Sequence, residues 1–304
     1  MLQRTRVVVF VGVVCVDEIL DLDAFPKEDS KVRATNRSIG RGGNAGNSAA
    51  MLARLLTANQ LGGLVHICSV IGDDAEGLMV RDTCAKDNVQ TGTLVVANGQ
   101  LTPKSIVLRV KDTRTIVHYR TLAELNFEQF VSAIARVSPP ISTSWFHFEG
   151  RNTNETLKMM ETIDSSVLSL ELERRRSCDE HNLLLTSPRL VVFAHEFMES
   201  FGHHSVRSFV EGFLLLNGYG PKEYAWWVFT FGSRGSVGVE VTRNELRSLH
   251  LCPAERIENV TNTLGAGDAF LSGLIYAVSF ANLKLEAALV FASHVAAQKI
   301  RGLV

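Results

Sequence analysis

The chain has 304 residues, 46% hydrophobic and 21% charged, which is enough apolar material to bury a large core in one α/β domain, although the length also fits two. Its 31 basic and 32 acidic residues nearly cancel, so no overall field favours nucleic acid or an anionic membrane, and binding to either would need a local cluster. Five scattered cysteines, Cys15, Cys68, Cys84, Cys178 and Cys252, lack C-x-x-C spacing and suit reduced thiols in the cytoplasm better than disulfides or zinc.

At the N-terminus, Arg4 and Arg6 precede an apolar run from Val7 to Val16, the outline of a signal peptide. The run is rich in valine and passes straight into Asp17, Glu18, Asp21 and Asp23 without a small-residue cleavage pattern, so it reads as a buried strand. Elsewhere no uninterrupted apolar stretch approaches the roughly 20 residues of a membrane helix. A polar stretch from Asp17 to Gly40 then leads through a loop, Arg41-Gly42-Gly43-Asn44-Ala45-Gly46-Asn47, into a helical segment from Ser48 to Gln60. Val65 to Ile71 reads as a second buried strand ended by Gly72-Asp73-Asp74, and Ala75 to Asp87 as a helix.

Between Thr93 and Tyr119 the pattern becomes β-rich. Ser105 to Val110 and Thr115 to Tyr119, separated by Lys111-Asp112-Thr113-Arg114, predict a hairpin. Alternation then resumes with a strand at Trp145 to Phe148, a helix near Glu155 to Asp164, strands at Ser166 to Leu172 and Leu190 to Ala194, and a helix after them. Val228 to Phe231 and Val237 to Val241 are strands, followed by a glycine turn and two helices. The charged stretch from Glu171 to Glu180, with Arg174-Arg175-Arg176, reads as a solvated connection in preference to a phosphate-binding patch. This order predicts an α/β fold in one domain over 1–304. A central, mainly parallel sheet carries helices on both faces, and segments near 17–40 and 98–122 form a small β-sheet lid.

The strongest local pattern is Asn262-Thr263-Leu264-Gly265-Ala266-Gly267-Asp268-Ala269-Phe270, ahead of the apolar helical stretch Leu271 to Phe280. Small residues at a helix start let an anion approach unpaired backbone N–H groups, so Gly265, Ala266 and Gly267 can form an anion hole. An aspartate in the same turn, Asp268, can accept the proton of a hydroxyl attacking phosphorus. The residues alone equally admit a tight turn with an aspartate that favours the helix N-terminus. No G-x-G-x-x-G and no G-x-x-x-x-G-K-[ST] is present, which disfavours a dinucleotide-binding dehydrogenase or a P-loop enzyme. The histidines, His203-His204 included, show no metal-binding spacing.

The T-x-G-A-G-D-x-F pattern resembles the signature of the ribokinase or PfkB-type sugar and nucleoside kinases. Further matches follow in order along nearly the whole chain: Gly12-Val13-Val14 then Asp17, Pro26-Lys27-Glu28-Asp29-Ser30, Arg41-Gly42-Gly43-Asn44-Ala45, Arg114-Thr115-Ile116-Val117, and Glu149-Gly150-Arg151-Asn152. They are most similar to the branch of that family that phosphorylates the C1 hydroxyl of fructose. The resemblance implies a ribokinase-like fold, ATP as co-substrate with Mg²⁺, and a homodimer formed through the lid. It also implies that Asp17, Asp29, Gly43, Asn44 and Asn47 bind sugar hydroxyls, a set whose carboxylates and carboxamides suit a neutral polyol. Read without the resemblance, the asparagines are turn or cap residues and the aspartates solvated charges.

By the same resemblance Arg114 reaches the phosphates from the lid, where a guanidinium fork suits phosphate oxygens. Alone it is an exposed hairpin charge. Gly232 and Gly235, within Thr230-Phe231-Gly232-Ser233-Arg234-Gly235, match the nucleotide loop, with His195 as a polar neighbour of the nucleotide. Glu196 matches an acidic position that orients magnesium through water, though it could equally cap a helix, and the asparagine of the wider family's N-x-x-E motif is missing. Asn262 stands where the family carries aspartate, which leaves a monovalent-cation site open. The sequence ends at Arg301-Gly302-Leu303-Val304, before the glycine-rich tail of that branch, so either weaker adenine binding or its support by another segment is expected. Another sugar or nucleoside as acceptor, and a sugar- or nucleotide-binding protein with little turnover, are the alternatives.

Overall fold

A computed structural model describes residues 6–111, 113–137, 144–174, 181–212, 220–243, 245–258, 260 and 263–303. Strand β1 (Arg6–Val11) is buried at every residue after Arg6, as expected of a strand covered on both faces. The apolar run does not continue as one strand. At Gly12, where a side chain would lie 2.5 Å from Cδ of Glu149, the chain leaves the sheet, and β2 (Cys15–Asp21) belongs to a different one. The polar stretch after it also holds a strand, β3 (Asn36–Gly42), antiparallel to β2. Helix α1 (Asn44–Ala58) starts earlier than the expected Ser48, since Gly43 at φ +84 already turns the chain into it.

The run from Val65 to Ile71 likewise divides. β4 (Gly63–Cys68) joins the large sheet, whereas β5 (Val70–Gly72) pairs with β7 (Val95–Ala97). Ser69 sits at the break, and its hydroxyl accepts the Val14 N–H at 3.3 Å. Between them lie α2 (Ala75–Lys86), capped by Asp74, and β6 (Val89–Gln90). The predicted hairpin is present as β8 (Lys104–Val110) and β9 (Thr113–Tyr119), but Arg114 lies within β9, opposite Arg109, and not in the turn. Asp112 falls outside the described residues.

The remaining elements are α3 (Phe127–Ile134), β10 (Ser144–Glu149), α4 (Thr153–Glu161), β11 (Leu168–Leu172), α5 (His181–Leu184), β12 (Leu190–Ala194), α6 (His195–Glu199), α7 (Val206–Glu211), β13 (Ala225–Thr230), β14 (Ser236–Val241), β15 (Leu246–Cys252), α8 (Ala266–Ser279) and α9 (Leu285–Ile300). β15 was not foreseen: its side chains alternate between exposed and half-buried, so no apolar run marks it. The charged stretch also departs from a solvated connection at its start, where Glu171 and Leu172 close β11. Arg175, Arg176 and Cys178 fall outside the described residues.

The nine-stranded sheet has the order β15, β14, β13, β12, β11, β10, β1, β4, β6, parallel from β13 to β6 and antiparallel at β14 and β15. From β1 the chain steps outward to β4 and β6, then returns to the other side at β10. Such a reversal leaves a crevice beyond the carboxyl ends of the two middle strands. Val8 and Phe10 pack toward α1, α8 and α9, while Val7, Val9 and Val11 pack toward α3, α4 and α7. Gly273 lets α8 and α9 close on each other, since a side chain there would lie 2.9 Å from Cα of Ala292.

The second sheet has four strands in the order β3, β2, β8, β9. Its register sets Asp17, Ser105 and His118 in one row across β2, β8 and β9, with Asp21, Arg109 and Arg114 in another on the same face. Among the described residues no helix is long and apolar enough to cross a membrane.

Candidate active site

Glycines bring the start of α1 against the end of β1. A side chain on Gly42 would lie 2.0 Å from Cγ of Asp17, and one on Gly43 would lie 2.4 Å from the Val13 carbonyl oxygen. Glu149, the last residue of β10, fixes this junction. Its Oε1 accepts the Ala45 N–H at 2.7 Å, and it also accepts a backbone hydrogen bond from Val13. Burial pushes the Glu149 carboxyl up, countered by Arg151, whose guanidinium lies 3.5 Å away and is itself held by Glu124 at 3.2 Å. Glu171 is the register partner of Glu149 on β11, so the two carboxylates leave the sheet side by side.

The first turn of α1 then reaches across the crevice. Asn44 donates to Glu171, Asn47 Nδ2 donates to Asp268 Oδ2 at 3.2 Å, and Ser48 Oγ donates to Asp268 Oδ1 at 3.4 Å. Ser272, one turn further along α8, donates its hydroxyl to the Asp268 carbonyl at 2.7 Å and the Ser48 carbonyl at 2.8 Å. Two helix N-termini are thereby held together at one carboxylate.

Gly265 supplies the left-handed residue ahead of α8, at φ +78, where other residues are strained. The N–H groups of Gly267 and Asp268 belong to a first helical turn and have no carbonyl of their own helix to bond. Gly267 is exposed, with no neighbouring atom within 4 Å of where a side chain would begin. An anion can dock there, favoured by the helix dipole.

Asp268 still meets solvent on one side, but crowding by protein atoms pushes its carboxyl up to about 7, and the charge of Glu173 adds to this. Hydrogen bonds from Asn47 and Ser48 oppose the shift without cancelling it. Glu171 is also raised well above the ordinary carboxylate range, by burial first and then by Glu173, Asp268 and Glu149. A carboxylate poised near neutrality, beside N–H groups that can stabilise a phosphoryl oxygen, has the properties of a general base for phosphoryl transfer.

The other expected residues divide into two groups. His195 and Glu196 open α6 at the carboxyl end of β12, with His195 Nδ1 3.1 Å from Glu196 Oε2 and its ring 5.9 Å from that of Phe231. Gly232 and Gly235 make the neighbouring turn after β13 at φ +58 and +98, and a side chain on Gly235 would lie 2.1 Å from the Cys252 carbonyl oxygen. Both lie at the same sheet edge as Glu149 and Glu171. Asp29 is not brought in: it sits at φ +56 in the exposed loop between β2 and β3 and bonds to no other described residue. Arg114 is exposed on β9 and pairs with no described carboxylate, while its neighbour Arg109 is taken by Asp21 at 2.6 Å. Asn262 falls outside the described residues.

Glu149 and Glu171 are the site residues that the sequence reading left without a role. The available signal was position: Glu149 ends β10 after Trp145-Phe146-His147-Phe148, and Glu171 follows Leu168-Ser169-Leu170 one residue before the end of β11, so both lie at the carboxyl edge beside the crevice. Among the described residues no group of three or more histidine, cysteine or carboxylate side chains could hold a metal ion. Glu196, more than half exposed, offers a single carboxylate, which suits a magnesium ion that keeps its waters and takes its other ligands from phosphates.

Comparison with known proteins gives the family and the fold. The model of the pfkB family carbohydrate kinases matches residues 11–302. Mouse ketohexokinase is 28% identical over 318 residues, covering 98% of this chain and 97% of that protein. The Arabidopsis thaliana ribokinase complexed with ribose and ATP superposes with a TM-score of 0.75 at 17% identity, covering 98% of this chain and 92% of that one. The Thermotoga maritima ribokinase gives 0.73 at 17% identity, covering 97% and 92%. The fold is therefore ribokinase-like, and with the family model spanning nearly its whole length, the chain belongs to the PfkB family of carbohydrate kinases.

Proposed function

We propose that the protein transfers the γ-phosphoryl group of ATP to the C1 hydroxyl of fructose. The observation that carries the reading is the pair of hydrogen bonds from Asn47 and Ser48 to Asp268, which joins the glycine loop expected to hold the sugar to the expected base. Asp268 takes the hydroxyl proton, and the expected anion hole of Gly265, Ala266 and Gly267 receives the transferring phosphoryl oxygens at the Gly267 N–H, since the Ala266 N–H already donates to the Thr263 carbonyl at 3.2 Å and shapes the turn behind Gly265. Asp17, Gly43, Asn44 and Asn47 hold sugar hydroxyls, and Asp29 joins them once its loop closes. Arg114 meets the phosphates from the small sheet, which serves as a lid within one kinase domain. Gly232, Gly235 and His195 border the nucleotide, and Glu196 orients Mg²⁺ through water.

Fructose as the acceptor is supported by the full-length similarity to mouse ketohexokinase. The opposite face of the small sheet carries exposed Ile39, Val117 and Tyr119, which favours a homodimer through that face. The buried free thiols of Cys15, Cys68, Cys84 and Cys252 suit a cytoplasmic location.

The test is MgATP-dependent phosphate transfer by purified protein to fructose, ribose and adenosine, with the position of the new phosphate determined. Fructose 1-phosphate is the expected product, and Asp268→Asn should lower turnover by about 10²–10⁴-fold. Phosphorylation of ribose or adenosine in preference to fructose would overturn the acceptor assignment. Undiminished turnover by Asp268→Asn would overturn the role of the base.

A further inference from the structure

Two cations near the end of α9 have different surroundings. Arg301 is occupied: its guanidinium meets Glu255 at 3.0 Å and the Arg256 carbonyl at 3.4 Å, and Glu255 also takes His294 at 2.7 Å. Lys299 meets no described carboxylate within ion-pair distance. A lysine in the last turn of a helix ordinarily extends into water, where it complements the helix dipole. The half-buried stem of Lys299 instead runs to the turn ahead of α8.

A methyl group on Gly265 would lie 3.5 Å from Cε of Lys299 and 3.7 Å from Oδ2 of Asp268. A cation and a carboxylate thus flank one point without forming an ion pair, beside the open N–H groups of the first turn of α8. A gap of that kind suits a third, anionic group.

We propose that Lys299 is a phosphate-binding residue, its ammonium engaging the polyphosphate of the nucleotide at the turn formed by Gly265, Ala266 and Gly267. The proposal rests on the kinase reading above. In the transfer, the acceptor oxygen bonds to the γ-phosphorus and its proton passes to Asp268. The bond from that phosphorus to the bridging oxygen breaks, and its electron pair stays with ADP. Lys299 gives up no proton. Its compact charge offsets the negative charge that gathers on the phosphate oxygens.

Lys299→Met keeps the stem and removes the charge, whereas Lys299→Arg keeps a charge. MgADP would be titrated calorimetrically into the unmodified protein and both variants, with their melting temperatures compared. Removing a charge-assisted hydrogen bond should weaken MgADP by about tenfold to a hundredfold in the Met variant, with part recovered in the Arg variant. Affinity of the Met variant within about twofold of the unmodified protein overturns the proposal. So do equal losses in the two variants, which would make Lys299 a packing residue, and so does an unmodified protein that binds no MgADP. Lys299→Gln replaces the Met variant if that does not fold. Phosphate transfer measured in parallel separates the two readings: protein that binds MgADP through Lys299 yet phosphorylates no acceptor would overturn the kinase reading and leave the phosphate site standing.

Discussion

The two edges of the large sheet use similar side chains to opposite effect. At the amino ends of β12 and β13, Arg189 lies over the rings of Tyr224 and Trp226, at 4.4 and 5.1 Å from their centroids. Tyr224 donates to Glu240, Trp226 Nε1 donates to Tyr224 at 2.8 Å, and Ser248 donates to Glu240 at 3.0 Å. Burial raises the Glu240 carboxyl, but these hydrogen bonds outweigh it and hold the group below its ordinary range. At the carboxyl edge, burial and the charge of Glu173 outweigh the hydrogen bonds of Asn47 and Ser48, and Asp268 moves up. One edge satisfies its carboxylate, whereas the other keeps carboxylates crowded together. The crowded edge is the one proposed for the chemistry, where such crowding comes at some cost in stability.

The largest expected effect separates activity from stability at Asp268. Asp268→Asn should lose most turnover yet melt higher than the unmodified protein at pH 8. A folded-state carboxyl raised above its unfolded value contributes stability below that unfolded value, and the contribution is lost as pH rises through about 7. The advantage of the variant should therefore grow from about pH 4 to pH 7 and then level off. Melting curves across that range that run parallel would contradict the crowded carboxyl edge.

Glu240→Gln should do the reverse, leaving turnover intact and lowering stability by about 1–3 kcal/mol at pH 7. Because the Glu240 carboxyl is depressed, its contribution is present above the unfolded value and disappears as pH falls through the folded one, so variant and parent should converge in acid. Denaturant titrations at neutral and acid pH would show whether they do. The smallest shift is in the pH profile of Asn47→Ala, a variant that also loses a proposed sugar contact and so raises KM. Losing a donor to the carboxylate should move the acid limb of kcat/KM upward by less than about one pH unit. An unmoved limb would mean that Asn47 does not tune Asp268.

Much of this arrangement was legible in the sequence, for definite reasons. The turn at Gly265 and the helix that starts beside Gly267 and Asp268 are legible locally, because small residues ahead of an apolar run mark a helix start without tertiary context. The alternation after Trp145 gave the parallel sheet. The errors lie where an apolar run conceals a change of sheet, at Gly12 and at Ser69, since periodicity registers burial and not the partner strand. Asn44 and Asn47 were assigned to the loop, yet they contribute as side chains on the first turn of α1. Glu149 and Glu171 become significant only once β10 and β11 lie in register, a fact no local window contains. Asp29 matches a motif, but in this structure its loop is turned to solvent.

Ser272 and Ser48 are both fully buried, and the single hydroxyl of Ser272 links the α8 backbone at Asp268 to the α1 backbone at Ser48. Amide exchange should record that link. Protons in the second turns of α1 and α8 would be released together, in openings that approach global unfolding, while those on the solvent side of β9, whose residues are all exposed, would exchange through far smaller fluctuations. The starts of α1 and α8 are therefore expected to move as one body, and change at the small sheet is freer than change in the helices behind it.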